Sequence, residues 1–325
     1  IDPETGEEHA LARKERKTSS GYHGFDFDAG PNITLEEDLG RRDLTINSIA
    51  EDENGNLIDP YGGQDDIRNR VLRHVSEAFR EDPLRVLRIA RFKAKLSQFD
   101  FIIAEETIEL VNKIVSSGEL SSLVPERTWL ETEKVLKADD FNKYFITLIN
   151  LNAFNAIYPD LKDLDSEFFS NDLILKASKQ DYSPEVRFAS IFYSLMRKGE
   201  KDIKNRVKSM SENMRFANSY KKLPLMLNKC LAMIEEDISK FTAEHQLRII
   251  ESIDAIRNPE NLDQISDLVM LDQSIDLTEK MTLLQKSLGN AKNIKINNLD
   301  ESKLAGNEIA DRMRELRLKA IESNQ

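Results

Sequence analysis

The chain has 325 residues, enough for two or three domains, and its 40% hydrophobic and 32% charged residues suit a soluble, largely helical protein. A net charge of −12 excludes a protein that coats nucleic acid along a track, and the lack of any run of about 18 apolar residues predicts no membrane span and no membrane partner. The single cysteine, Cys230, excludes an internal disulfide and fits a reducing, cytoplasmic compartment, while four scattered histidines argue against a His-based metal cluster.

Glu7 to Lys17 reads as a strand, Ala10 and Ala12 alternating with His9, Leu11 and Arg13. Ser19-Ser-Gly-Tyr-His-Gly24 reads as a loop. Phe25-Asp-Phe-Asp28 alternates strictly, so Asp26 and Asp28 share one face of a strand. An Asp-x-Asp metal pair would look like this, but a polar strand edge accounts for it and is the reading preferred. Thr34-Leu-Glu-Glu37 is a capping box. The short helix that follows is expected to carry Asp38, Arg41, Arg42 and Asp43, with Ile46, Ile49 and Ala50 leading into a strand. Glu53-Asn-Gly55 predicts a hairpin turn, with Leu57-Ile58 returning. Asp59-Pro-Tyr-Gly-Gly63 then breaks the chain, a candidate hinge behind a small α/β head.

From Gln64 onward no convincing strand is predicted. Helical periodicity appears over 64–70, 83–96, 104–116, 126–138, 141–150, 184–198, 223–238, 243–256, 277–287 and 303–322. Tandem helices without repeats imply an irregular helical body. Seven arginines fall between Arg68 and Arg91, with the acidic excess mostly elsewhere. Such a strip suits one end of a nucleic acid gripped transiently.

The stretch from Glu81 to Phe92 carries the most chemistry. Asp82 has an N-cap side chain, and Pro83 stands where a first helical residue would be. Arg85, Arg88 and Arg91 recur every third residue, each about 60° back from the last, so they share a broad face opposite Val86, Leu87, Ile89 and Ala90. Three guanidiniums on one face call for an anion across them, and a triphosphate matches their donor forks. Asp82 and Arg85, three residues apart, can both meet one object. A carboxylate only accepts hydrogen bonds and a guanidinium only donates. Together they complement an amino donor beside a ring-nitrogen acceptor, the edge of cytosine and adenine but not of uracil or guanine. The plainer alternative makes Asp82 a cap and the arginines a solvated face.

Three blocks occur in order: Asp38-Leu-Gly-Arg-Arg-Asp-Leu-Thr-Ile-Asn-Ser48, Ile58-Asp-Pro-Tyr-Gly-Gly63, and Glu81-Asp-Pro-Leu-Arg-Val-Leu-Arg-Ile-Ala-Arg-Phe92. Together they resemble the class II tRNA nucleotidyltransferases, the bacterial CCA-adding enzymes, which are closely related to bacterial poly(A) polymerases. The strong resemblance covers roughly 7–136. Pro125-Glu-Arg-Thr-Trp-Leu-Glu-Thr-Glu-Lys-Val-Leu136 resembles the end of the family's neck, and Glu251-Ser-Ile-Asp-Ala-Ile-Arg-Asn-Pro259 a segment of its body.

The resemblance implies an α+β chain with a partial nucleotidyltransferase head at 1–63. An all-α neck with the nucleotide-recognition helix would follow at 64–138, and a helical, tRNA-binding body and tail at 139–325. It implies template-independent transfer of CMP and AMP from CTP and ATP to a tRNA 3′-hydroxyl, with release of pyrophosphate and with no DNA partner. It makes Asp82 and Arg85 the base-reading pair, and Arg42, Arg88 and Arg91 contacts to the nucleotide phosphates. Asp43 would meet the ribose 2′-hydroxyl, and Asn47 would support the sugar or phosphates or else cap the backbone. Arg41 is a less specific position.

Two departures from the family pattern stand out. Its Gly-Gly motif and its Asp-x-Asp pair, which holds Mg2+, are missing, and the position of Asp26 and Asp28 is variable in the family. The catalytic carboxylates are therefore expected upstream of a truncated start, with no catalytic or metal residue in this chain, which as written should catalyse nothing. Glu7 or Glu8 near the metals is a weaker alternative. In the body, Tyr193-Ser194 stands where relatives carry the His-Asp of a phosphohydrolase, so no phosphatase or phosphodiesterase activity is expected. A poly(A) polymerase, a partial C- or A-adding enzyme, and a non-catalytic RNA-binding fragment remain open alternatives.

Overall fold

Strands β1 (Lys14–Lys17) and β2 (Phe25–Asp28) pair antiparallel, with Lys14 opposite Asp28 and Lys17 opposite Phe25. The computed structural model describes residues 14–17, 25–28, 33–295 and 306–323. The rest of the predicted first strand, with Glu7 and Glu8, and the loop at 19–24 lie outside the described residues. The chain divides into two units, Ile1–Asn171 with Asn213–Arg215, and Asp172–Glu212 with Phe216–Gln325.

In the first unit, α1 (Leu35–Gly40) opens with the capping box that its spacing predicts. The Thr34 hydroxyl accepts from Glu37 N–H at 3.2 Å, and the Glu37 carboxylate accepts from Thr34 N–H at 3.1 Å. The helix is shorter than expected. Arg41 caps its end, and Arg42 and Asp43 lie in the turn beyond it, where Arg42 N–H closes onto the Leu39 carbonyl at 3.1 Å. Beside this end Gly40 abuts the Tyr61 ring, whose hydroxyl donates to the Glu36 carbonyl at 3.0 Å.

A 3-10 turn at Thr45–Asn47 leads into the predicted hairpin, β3 (Ala50–Glu51) and β4 (Leu57–Ile58), with Ala50 opposite Ile58. Gly55 supplies the positive φ of +82° that the turn requires. Behind it, α2 (Gly63–Asn69) starts where the Asp59 carboxylate accepts the N–H groups of Gly63 at 2.7 Å and Gln64 at 2.8 Å. The Asp-Pro-Tyr-Gly-Gly break is thus a tightly held helix start.

β5 (Val71–Leu72) precedes α3 (Leu84–Lys95), and β6 (Ile102–Ile103) follows it. β5 and β6 pair parallel, Val71 with Ile102 and Leu72 with Ile103, so the expectation of no strand beyond Gln64 is corrected. Two-residue strands carry no alternation, and each finds its partner only across the intervening helix.

α4 (Glu105–Ser116), α5 (Pro125–Leu136), α6 (Phe141–Asn150) and α7 (Phe154–Ile157) complete the helices of this unit. α3 packs on α5 and α6, with Val86, Leu87, Ile89 and Ala90 fully buried. At about 2 kcal/mol for each buried large aliphatic side chain, this seat holds the arginine face steady. Beneath it, Phe145 stacks on Phe169 at 4.7 Å. Burial pushes the Tyr158 hydroxyl up to about 12, and Thr132 and Tyr144 bond it at 2.7 and 3.1 Å.

The second unit is helical: α8 (Asp172–Lys179), α9 (Pro184–Arg197), α10 (Ile203–Met214, its end shared with the first unit), α11 (Asn218–Glu235), α12 (Ala243–Ser252), α13 (Glu260–Leu271), α14 (Thr278–Lys292) and α15 (Gly306–Glu322). Four of the described α-helices, α7, α8, α10 and α13, are absent from the sequence prediction. α10 was legible, since Ile203, Val207, Met210 and Met214 recur at helical spacing and are buried, but its polar composition hides the stripe. α11 starts five residues before the predicted Leu223 because Pro224 sits inside the helix rather than opening it.

Candidate functional site

α3 begins one residue later than the sequence places it, with Pro83 at the cap. Asp82, one residue before the cap, still bonds the helix start, its Oδ1 accepting Leu84 N–H at 3.1 Å. Its Oδ2 accepts Arg127 Nη2 of α5 at 2.8 Å. Arg85, one turn on, is half-buried and donates Nη1 to the Ala78 carbonyl at 2.8 Å and Nη2 to the Arg41 carbonyl. The Arg-Arg-Asp turn and the start of α3 are therefore stitched together.

Further along the face, Arg88 Nε donates to Asp43 Oδ2 at 2.6 Å. Asp43 is buried, and its Oδ1 also accepts from Leu44 N–H and Asn47 Nδ2, both at 2.9 Å. Burial alone would raise this carboxyl. The Arg88 charge, with the Asn47 and Leu44 donors, overcomes burial and holds it below the ordinary range. Asn47 in turn accepts, through its carbonyl, Arg42 Nη1 at 3.1 Å. Arg42 is exposed, with Asp38 3.7 Å away.

Arg91 meets the middle of α5, one turn beyond Arg127, where its Nε donates to Glu131 Oε2 at 2.6 Å. Glu131 is 3% exposed and also accepts from Lys134 at 2.8 Å. Arg91, Lys95 and Lys134, with Asp139, line a cavity of about 270 Å³.

The structure thus joins Arg42, Asp43, Asn47 and Arg88 in one hydrogen-bonded chain. It links Arg85 to that turn through the Arg41 carbonyl and holds Asp82 and Arg91 on α5. One expectation is corrected: the arginine face does not wait for a ligand to balance its charge. Carboxylates of other elements take Arg88 and Arg91, and backbone carbonyls take Arg85. Two residues with a part in this arrangement, Arg127 and Glu131, have no assigned role in the sequence reading. They stand in the block quoted for the neck, but nothing in that block says which side chains they meet.

Among the described residues no group of three His, Cys, Asp or Glu side chains is placed to hold a metal ion. Asp43, the buried carboxylate here, is already bound by Arg88, Asn47 and Leu44. These residues do not fit the Mg2+ that the resemblance implies.

In the second unit, the segment with Tyr193-Ser194 lies on α9. The Tyr193 hydroxyl accepts from Arg197 Nη2 at 2.8 Å and donates to Asp272 at 3.4 Å. Arg197 makes ion pairs with Glu235 and Asp272, each at 2.5 Å. A guanidinium occupies the space between the two carboxylates.

Comparison with known proteins agrees with this architecture. Residues 4–73 match the family described as "Poly A polymerase head domain", and 100–164 match "Probable RNA and SrmB- binding site of polymerase A". The chain is 35% identical over 353 residues to a multifunctional CCA protein of Acinetobacter baumannii, covering 99% of this chain and 85% of that protein. It is 37% identical over 325 residues to a CCA-adding enzyme of Coxiella burnetii, covering 99% and 82%. Its fold is similar to the crystal structure of the Bacillus stearothermophilus CCA-adding enzyme in complex with CTP, with a TM-score of 0.66 at 22% identity over 93% of this chain and 72% of that one. No described helix is long and apolar enough to cross a membrane. With its motifs on one stitched turn-and-helix surface and with relatives matching nearly its whole length, the chain belongs to the family of CCA-adding enzymes, nucleotidyltransferases with a poly(A) polymerase head.

Proposed function

We propose that the turn at residues 41–47 and the arginine face of α3 form the nucleotide site of a CCA-adding reaction, in which CMP and AMP pass from CTP and ATP to the 3′-hydroxyl of a tRNA. The observation that carries this reading is the meeting of the two motifs: Arg88 on Asp43 and Arg85 on the Arg41 carbonyl. Residues some forty positions apart make one surface that carries both base-reading and phosphate-binding groups.

On this reading Asp82 and Arg85 offer acceptor and donor to the edge of cytosine or adenine. Uracil and guanine, with a carbonyl and a ring N–H there, leave both side chains mismatched. A mismatched polar edge is the strong form of discrimination, because the site's own groups are left unpaired. Arg42, Arg88 and Arg91 supply charge to the phosphates. Each guanidinium has five N–H donors, so the bonds to Asn47, Asp43 and Glu131 orient these arginines without exhausting them. The cations around the cavity at Arg91 add to that field. Asp43 and Asn47 face the sugar, which favours ribonucleotides. The residues named here bind and orient the nucleotide. Residues 1–63 then belong to the head, 64–138 to the neck that reads the nucleotide, and 139–325 to a body and tail that holds the tRNA.

The test is extension of a tRNA lacking its 3′ end by the full-length protein with magnesium, each nucleoside triphosphate offered alone and then together. Growth by C, C and A that then stops supports the reading. An open-ended A ladder makes the protein a poly(A) polymerase, and no growth with any nucleotide makes it a non-catalytic RNA binder.

A further inference from the structure

We propose that Arg127 is a positioning residue for base selection, acting through Asp82. The proposal rests on the reading of Asp82 and Arg85 as the base-reading pair and adds the group that sets its geometry. A carboxylate at the foot of a helix turns easily about its Cβ–Cγ bond, which is a broad, two-fold torsion. A carboxylate that turns presents no fixed acceptor, and selection between amino and carbonyl edges needs one.

In this protein both oxygens are tied. Leu84 N–H holds Oδ1 at 3.1 Å, and Arg127 Nη2 holds Oδ2 at 2.8 Å. The Leu84 bond alone leaves the carboxylate a hinge, and the Arg127 bond from a second element fixes its plane. A carboxylate has about four acceptor positions on its two oxygens, so two bonds orient it and leave capacity for an incoming amino group.

The placement of Arg127 suits this task. It is the third residue of α5, a helix whose start is set by Pro125. One turn further on, Glu131 of the same helix grips Arg91 near the other end of α3. α5 therefore braces the reading helix at both ends, and Arg127 is the brace that reaches the base-reading residue itself.

Stability is a poor account of the Arg127–Asp82 pair. Its side chains are 34% and 26% exposed, and ion pairs of that exposure contribute little to folding. Orientation of a single reading group needs no large stabilisation, only a bond that persists while the base is tested.

The experiment measures kcat and KM for CTP against UTP on a tRNA lacking its 3′ end, and for ATP against GTP on one ending in CC. It compares the full-length protein with Arg127→Ala, Arg127→Gln, Arg127→Lys, Asp82→Ala and the Arg127→Ala/Asp82→Ala double variant. Arg127→Ala and Arg127→Gln are expected to lower discrimination about tenfold, the loss of one charge-assisted bond. Arg127→Lys restores a charged donor and recovers most of it, and the double variant is no less selective than Asp82→Ala alone. Wild-type discrimination in the Arg127 variants, with discrimination lost in Asp82→Ala, overturns the positioning role and leaves the base-reading assignment standing. An equal fall of kcat with all four nucleotides also overturns it, since a merely structural role predicts that. Unchanged selectivity in Asp82→Ala overturns the base-reading assignment and this proposal with it.

Discussion

Asp43 shows how one residue serves fold and site together. It is buried, and its two oxygens accept from Arg88, Asn47 and Leu44. Arg88 is the cation that keeps that carboxylate ionised against burial. Arg88→Ala is therefore expected to act twice. On the proposed reading it removes a phosphate contact, raising the Kd for CTP and ATP by a similar factor in titration calorimetry, because a phosphate contact cannot tell bases apart. It also strands Asp43 and lowers stability by about 2 kcal/mol, between the values for exposed and buried pairs, since Arg88 is one-third exposed. A loss confined to one nucleotide would move Arg88 among the base-reading residues. Gly63 is constrained by space instead. A Cβ there would collide with the Thr45 carbonyl and lie 2.9 Å from Ile49 Cγ1. Gly63→Ala should cost about 2 kcal/mol in denaturant unfolding, the usual size of an overpacking penalty; an unchanged midpoint would show that the turn at 45–49 yields easily.

At the scale of elements, the site depends on how α3 is gripped. Its apolar face is sealed against α5 and α6, and its polar face is held by Arg127 on Asp82 and Glu131 on Arg91. Glu131 gives this grip a pH signature. Burial raises its carboxyl, but the bonds from Lys134 and Arg91 outweigh burial and leave it below the ordinary value of 4.5. A depressed carboxylate contributes stability that is complete above its unfolded pKa and is lost as pH falls through the lower folded one. The difference in Tm between wild type and Glu131→Gln should therefore stay constant from neutrality down to about pH 5.5, then shrink below the unfolded value. A difference that grows on acidification would contradict this sign. The same helices explain a limit of the sequence reading. Periodicity places Arg85, Arg88 and Arg91 along one side of the helix, but it leaves all three to be balanced by a bound anion and says nothing of partners within the chain. In the structure the three arginines diverge to different partners, one of them on α5.

At the scale of the whole molecule, the two units carry different kinds of polar cluster. The first gathers arginines around a turn and a helix start. The second holds a partly exposed guanidinium between carboxylates, Arg197 with Glu235 and Asp272, beside the Tyr193 hydroxyl. A cation fixed there by the chain competes with any divalent ion for the same oxygens. Assays of phosphatase and phosphodiesterase activity with added divalent metals should therefore show no turnover above background in the full-length protein, and metal-dependent hydrolysis that disappears in Asp272→Asn would refute that expectation.

Local chemistry, written in neighbouring residues, was open to reading from the sequence. The Thr34–Glu37 capping box, the Asn-Gly hairpin, the start of α3 to within one residue and the register of its arginines each depend on contacts a few positions apart, which spacing alone determines. The ordered motifs likewise identified the family. Tertiary structure decided everything that depends on distant pairing: the parallel β5–β6 contact, Arg88 on Asp43, Glu131 on Arg91 and Arg127 on Asp82. Many pairings of these charges satisfy the same spacing. The burial of the apolar face of α3 against α5 and α6 selects the pairings to α5, Glu131 on Arg91 and Arg127 on Asp82, that spacing leaves open.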